Sequence, residues 1–224
     1  MEFLDRLIFF DLYELPFVLL AFLLGVTIHG FTQAFTSNKF NDPTAKKQGR
    51  LTLNPQTHLD FIGMLLFLFA GFGWGKPVPV NRHHFKKPKL IGVFISLAGP
   101  FSNLCFVLIG FLFWYLLFMG SIHVWFSPDV FNAINTFLEW FIRINILLFV
   151  VHLIPLPPLD GYRIIEDLAP NNVRAKMAKF ELYSIYIFLL LALIPPLRMV
   201  TIQPILNLQF VIYNIINRFF SVIF

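Results

Sequence analysis

Apolar runs dominate this chain and divide it into candidate membrane helices. Five runs reach the length of about 20 mostly apolar residues that a bilayer crossing requires. They cover residues 15–35, 90–119, 130–154, 182–196 with its flanks, and 205–224. The pattern predicts an all-α polytopic membrane protein. We expect a bundle of about five to six transmembrane segments that forms a single membrane-embedded domain over 1–224.

Two of the runs carry irregular features. The run 61–73 is short and contains three glycines, so it suits a re-entrant or packed segment better than a full crossing. The run 90–119 is long for one straight span. Within it, Gly99 and Pro100 predict a kink or break, and Asn103 follows at a spacing that suits a helix contact.

One ion pair is predicted inside a span. Glu139 and Arg143 lie four residues apart in the run 130–154, with the acid first. This is a favourable helical pairing, and pairing is how charge is tolerated in lipid. A structural role is therefore predicted for both residues.

Basic residues predict the orientation of the helices. Of the 17 Lys and Arg, all but four lie in loops 36–60, 74–89 and 155–180, and the segment 120–129 has none. Positive charge favours the cytoplasmic side, so these three loops are predicted to be cytoplasmic in a multi-pass protein of the cell membrane. This arrangement requires the run 61–73 to return to the side from which it entered.

Composition supports a lipid environment. Apolar residues make up 58% of the chain and charged residues 13%, against about 25% in an average soluble domain. The lipid bilayer is therefore expected to surround most of the chain. The net charge of +5 is explained by the orienting loops, so no nucleic-acid partner is predicted.

Three side chains able to bind a metal ion are expected on one side of the membrane. His29 ends the first long run, His152 ends the run 130–154, and Asp160 follows "IPLPPL". The predicted topology brings all three near the cytoplasmic face, and imidazole and carboxylate are common zinc ligands.

Five ordered motifs carry a family resemblance. They are "HGFTQA", "NDPTAKKQGRLTLNPQTHLDFIG", "GWGKPVPVN", "LAGPFSN" and "IPLPPLDGYR", and together they cover about residues 15–166. This sequence resembles the site-2 proteases, intramembrane zinc metalloproteases, and specifically their small bacterial, minimal-core branch. The resemblance implies a membrane core at 15–166, further membrane helices at 182–224, one zinc ion, and cleavage within transmembrane segments of regulatory proteins.

The zinc motif departs from the family pattern H-E-x-x-H. His29 matches the first histidine, but Gly30 stands at the glutamate position and Gln33 at the second histidine position. Asp160 matches the third family ligand, while His152 stands where the family has an asparagine. The catalytic set is therefore not intact, because a glycine has no side chain that can take a proton.

Two interpretations of His152 stay open at this stage. It can complete a compensating zinc set with His29 and Asp160, or it can hydrogen-bond backbone that Pro155 leaves unpaired. Asp160 can equally cap a helix that begins near Gly161.

Substrate contact is expected beside Asp160. The prolines of "IPLPPL" predict extended, partly unpaired backbone, and the resemblance implies that a substrate segment adds there as a strand. The substrate-binding residues predicted on this basis are His152, Pro155, Pro157 and Pro158. His58 and Asp60 are predicted to belong to a turn. His83 and His84 are predicted to be exposed to solvent.

The leading functional prediction is a catalytically impaired homologue, a pseudoprotease that binds membrane-spanning protein segments. An alternative is an active protease that uses a shifted His29/His152/Asp160 site. A second alternative is a small membrane transporter, although few polar residues beyond Glu139 and Arg143 line the spans.

Overall fold

The computed structural model describes residues 9–119 and 125–224, and this part of the chain is built from helices. The α-helices are α1 (Leu15–Lys39), α2 (Thr44–Lys47), α3 (Phe61–Ala70), α4 (Pro88–Met119), α5 (Pro128–His152), α6 (Asp160–Leu168), α7 (Asn171–Leu193), α8 (Pro195–Val200), α9 (Ile202–Leu206) and α10 (Leu208–Ile223). Short 3-10 turns lie at Pro55–Thr57 and Arg82–His84.

Three long helices form the centre of the bundle. α1, α4 and α5 each pack against the other two. α1 starts with Pro16 in its first turn and ends after Lys39, where Asn41 takes a positive φ of 69°. Its 25 residues rise about 37 Å, which exceeds the hydrocarbon thickness of a bilayer.

α3 and the segment after it form a hairpin, the shape that a re-entrant segment would require. The Asp60 side chain caps α3 by accepting a hydrogen bond from the Gly63 amide at 2.8 Å. The helix ends at Gly71, which takes the left-handed conformation with φ of 77°. The chain then returns until Gly75 forms an isolated β-bridge with Leu59. Both ends of the segment therefore meet, as the predicted return to the original side requires.

The arms of this hairpin approach closely because Gly63 has no side chain. A Cβ atom at this position would lie 2.2 Å from the carbonyl oxygen of Trp74. Trp74 is buried, and Phe67 of α3 stacks on Phe22 of α1 with ring centroids 4.0 Å apart. Apolar packing thus fixes the hairpin against the helix that carries His29.

Several sequence expectations differ from the structure. Pro100 lies inside the continuous helix α4, so the predicted break is absent there; packing of α4 on α1 and α5 carries the helix through the missing backbone hydrogen bond. Four helices of the described chain are long and apolar enough to cross a membrane. The predicted run 182–196 contributes only a shorter apolar stretch, Tyr183–Leu193, so a count of five to six spans is not confirmed.

The last helix ends near the Met119 end of α4. The Tyr115 hydroxyl donates a hydrogen bond to the Asn217 carbonyl at 3.1 Å, and the Tyr115 ring stacks on Phe224 at 5.7 Å. If each of the five long runs crossed the membrane in turn, the end of the last helix would instead lie on the same side as loop 74–89. Aromatic packing along α4 explains the difference, since Phe111 and Tyr115 both hold Phe220.

We expect loop 74–89 to be cytoplasmic. Lys86→Cys, made in a Cys105→Ala background, should resist an impermeant maleimide in intact cells and react after permeabilisation. Its side chain is exposed, so access depends only on the side of the membrane. Trp125→Cys is the control, because position 125 is 86% exposed and lies in the segment without basic residues. The reverse labelling pattern would contradict this topology.

Candidate metal centre

His29, His152 and Asp160 converge although up to 131 residues separate them. One ligand atom from each lies within 4.8 Å of the other two. Asp160 Oδ2 is 2.9 Å from His29 Nε2 and 2.8 Å from His152 Nδ1. The two imidazole rings are 3.8 Å apart between centroids, and both histidines are buried.

A buried chain of amides fixes which nitrogen of His29 carries a proton. Asn145 donates through its Nδ2 to the Phe141 carbonyl at 2.8 Å, so its Oδ1 faces Asn103. Asn103 donates through its Nδ2 to that Oδ1 and to the Gly25 carbonyl, each at 3.0 Å. Its own Oδ1 can therefore only accept, and it takes a hydrogen bond from His29 Nδ1 at 2.8 Å.

Because the amide chain places the proton on Nδ1, His29 Nε2 in the neutral ring is unprotonated and carries a lone pair. That lone pair faces a carboxylate oxygen of Asp160 at 2.9 Å. Two acceptors at this distance repel unless a proton or a metal ion is shared between them. The arrangement is the one usual for a metal-bound histidine, whose other ring nitrogen donates to a neighbouring acceptor.

His152 carries a second nitrogen lone pair. Its Nδ1 donates to Asp160 Oδ2, so in the neutral ring Nε2 is unprotonated. This Nε2 is buried and has no hydrogen-bond partner in the described structure. Buried polar atoms without a partner are rare in folded proteins, and a metal ion is one group that can satisfy such a nitrogen. The expected alternative, a hydrogen bond from His152 to backbone opened by Pro155, is absent from the described contacts.

Gln33 orients the same carboxylate from the opposite side. Its Nε2 donates to Asp160 Oδ1 at 2.7 Å, so both oxygens of Asp160 are engaged. Asp160 is the first residue of α6 and makes no capping bond, so the capping interpretation is wrong.

Two glycines shape the pocket around His29. A Cβ atom on Gly99 would lie 2.4 Å from His29 Nε2, so the absence of a side chain there leaves room for the imidazole. A Cβ atom on Gly30 would lie 2.3 Å from His58 Nδ1. His58 is buried and held through Nε2 by the Thr52 carbonyl at 2.8 Å. The space of a residue-30 side chain is therefore taken by the His58 ring.

A cleft of about 400 Å³ connects the centre to the three basic loops. Gln33 and Asp160 line its inner end. Arg50 donates to the carbonyls of Lys76 and Pro77, at 2.7 and 3.3 Å, and so holds the non-helical segment 76–80 along the wall. Lys76 also lines the small space directly beside His29 and His152.

The predicted substrate segment has a different shape from the one expected. Residues 153–159 form turns, closed by hydrogen bonds from the Leu156 amide to Ile154 and from the Leu159 amide to Leu156. The prediction of extended backbone there is wrong, because these local bonds replace pairing with another strand. Pro158 lines the cleft, Pro157 is buried, and Pro155 is exposed.

The other residues singled out in the sequence lie outside the metal centre. Glu139 and Arg143 form an ion pair on α5. Asp60 caps α3, and His83 and His84 are exposed. Sequence reasoning missed Asn145 and the orienting role of Gln33. The signal for Asn145 was a single amide inside the apolar run "INILLF", since polar groups at membrane depth need partners.

Comparisons with known proteins give the family. The model of peptidase family M50 matches residues 17–195. A Bacillus subtilis protein named "Putative zinc metalloprotease YwhC" is 46% identical over 204 residues, which cover 91% of this chain and 92% of the relative. "Putative zinc metalloprotease Rip2" of Mycolicibacterium smegmatis is 30% identical, and its Mycobacterium tuberculosis counterpart 31%; each match covers 81% of this chain and 68% of the relative. No solved structure matches significantly.

The matched region contains α4, α5, all but the first two residues of α1, and all three residues of the candidate metal centre. The chain therefore belongs to peptidase family M50, the site-2 protease family.

Proposed function

We propose that this protein is a membrane-segment-binding member of the site-2 protease family whose zinc ligands are His29, His152 and Asp160. Gln33 stands where the family pattern has its second histidine, and His152 at the end of α5 supplies an imidazole instead. The observation that carries the proposal is the convergence of two buried imidazoles on the Asp160 carboxylate, with His152 Nε2 buried and without a hydrogen-bond partner in the described structure.

The donor set fits a zinc ion. Two imidazoles and one carboxylate are a common composition of catalytic zinc sites. A proton on His29 would relieve the contact with Asp160 but would leave His152 Nε2 unpartnered. A divalent cation satisfies both histidines and balances the buried carboxylate. When bound, zinc supplies Lewis-acid chemistry that polarises a carbonyl or lowers the pKa of water.

Hydrolysis by the standard family route is expected to be impaired. General-base catalysis is worth about 10²–10⁴-fold, and no carboxylate stands beside His29 in the chain sequence. The His58 ring occupies the volume next to Gly30, so changing residue 30 alone to glutamate would require the ring to move. The protein would therefore act mainly by holding segments that active relatives cleave, as a regulator or decoy.

The cleft supports binding of an extended protein segment. It runs from the basic loops to Asp160, and segment 76–80 lies along it outside any helix. Extended chains are bound largely through backbone groups, which do not depend on an intact base. The family context and the apolar helices favour membrane-spanning segments as partners, in a multi-pass protein of the cell membrane with its cleft facing the cytoplasm.

Purified, detergent-solubilised protein should hold about one zinc ion per chain. His152→Ala and Asp160→Ala should each abolish most of that zinc, because each removes one of three ligands. The zinc content per chain is measured by elemental analysis, after the protein has been dialysed against zinc and loosely bound metal has been removed. His83→Ala is the matched control and should keep full zinc. Absence of zinc in the wild type, or retention in both ligand variants, would contradict the proposed centre.

Asn103→Ala should weaken zinc binding by about 10–100-fold, because His29 then loses the acceptor that orients it. The same change should lower the free energy of unfolding by about 1–3 kcal/mol, because buried partners are left unpaired. Thermal melts and competitive zinc titration give the two values. Asn132→Ala is the control. It removes an exposed amide from α5, the helix that carries Asn145, and should change neither the zinc affinity nor the free energy of unfolding. Unaltered zinc affinity in Asn103→Ala would contradict the positioning role.

A further inference from the structure

A second cavity lies away from the metal centre. Its volume is about 420 Å³, and it is lined by residues of α5, α8, α9 and α10, by Gly71, and by the chain at Phe9 and Phe10. Arg143, which lines it, precedes His152 by nine residues, about 13 Å along α5. No ligand of the candidate metal centre lines this cavity. We call it the arginine cavity.

The arginine cavity carries unbalanced positive charge. Arg143 and Arg198 line it, and none of its lining residues is acidic. Arg198 donates to the Ala70 carbonyl at 3.0 Å and to Gln203 Oε1 at 3.3 Å, and makes no ion pair within the described chain. Arg143 pairs with Glu139, which lies outside the lining. The Arg198 guanidinium therefore lacks a counter-charge in a largely apolar setting. An unpaired charge in such a setting is unfavourable unless an anion is present.

The rest of the wall is apolar with a few hydrogen-bonding groups. Apolar side chains of α5, α9 and α10, together with Phe9 and Phe10, form most of it, among them Ile144, Leu206 and Phe210. Tyr213 lies on the same helix as Phe210 and adds a hydroxyl. The volume falls in the range of about 300–1,000 Å³ that is usual for small-molecule sites. The cavity thus combines cationic groups with room for hydrocarbon.

We propose that the arginine cavity binds an anionic amphiphile from the membrane, with its phosphate or carboxylate head against Arg143 and Arg198 and its acyl chain along the apolar wall. Guanidinium groups bind both kinds of anion through paired hydrogen bonds. Because Arg198 also holds the end of α3 at Ala70, the ligand ties the hairpin of α3 to α5 and α10. This proposal does not depend on zinc binding or on segment binding.

Delipidated protein in neutral detergent tests the proposal directly. Native mass spectrometry should show phosphatidylglycerol or oleate bound at least about tenfold more tightly than phosphatidylcholine, because only the first two carry net negative charge. The two anionic probes distinguish a phospholipid head from a fatty-acid carboxylate, and tight binding of either one supports the site. Equal affinity for phosphatidylcholine would overturn it.

Substitutions locate the binding. Arg143→Gln and Arg198→Gln should each weaken anionic binding by about tenfold, and Arg218→Gln, an exposed arginine of α10 outside the lining, should not. Gln209→Trp keeps both arginines but fills the cavity, so it should also weaken binding and remains informative if Arg198→Gln unfolds. Melting curves confirm that each variant is folded. Anionic binding that survives Arg143→Gln and Gln209→Trp, or that falls equally in Arg218→Gln, would overturn the proposal.

Discussion

The candidate metal centre depends on the buried hydrogen-bond chain from the Phe141 carbonyl through Asn145 and Asn103 to His29. Each amide in it has its direction fixed by a backbone carbonyl, which can only accept. The chain therefore commits His29 Nδ1 to donating and presents Nε2 to Asp160. It also joins α1, α4 and α5, so the three central helices and the centre are positioned by the same contacts.

In the proposed zinc site, one ligand comes from a different helix than in the family pattern. Gln33 lies one turn after His29 on α1 and still reaches Asp160, but as a hydrogen-bond donor to Oδ1. His152 approaches Oδ2 from the end of α5. The carboxylate thus has contacts from both helices, with one imidazole from α1 and a second imidazole from α5.

Much of this architecture was predictable because apolar run length and basic loops are local signals. The helices around His29, Asn103 and His152 followed from run length, and the topology predicted that His29, His152 and Asp160 would meet. The short run 61–73 was correctly expected to bring its two ends together. The geometry that decides chemistry depends on tertiary packing, which no local pattern records. Three features arise from such contacts: the packing of the His58 ring where a Cβ on Gly30 would lie, the turns at 153–159, and the placement of Phe224 beside Tyr115.

In the proposed site, His152 takes the ligand role that the family pattern gives to residue 33. Zinc content of two variants tests it most directly: His152→Asn, which installs the family residue, and the same change combined with Gln33→His. We predict that the single variant loses zinc and that the double variant recovers it, because residues 29 and 33 share one face of α1. Full zinc in His152→Asn, or no recovery in the double variant, would contradict the account.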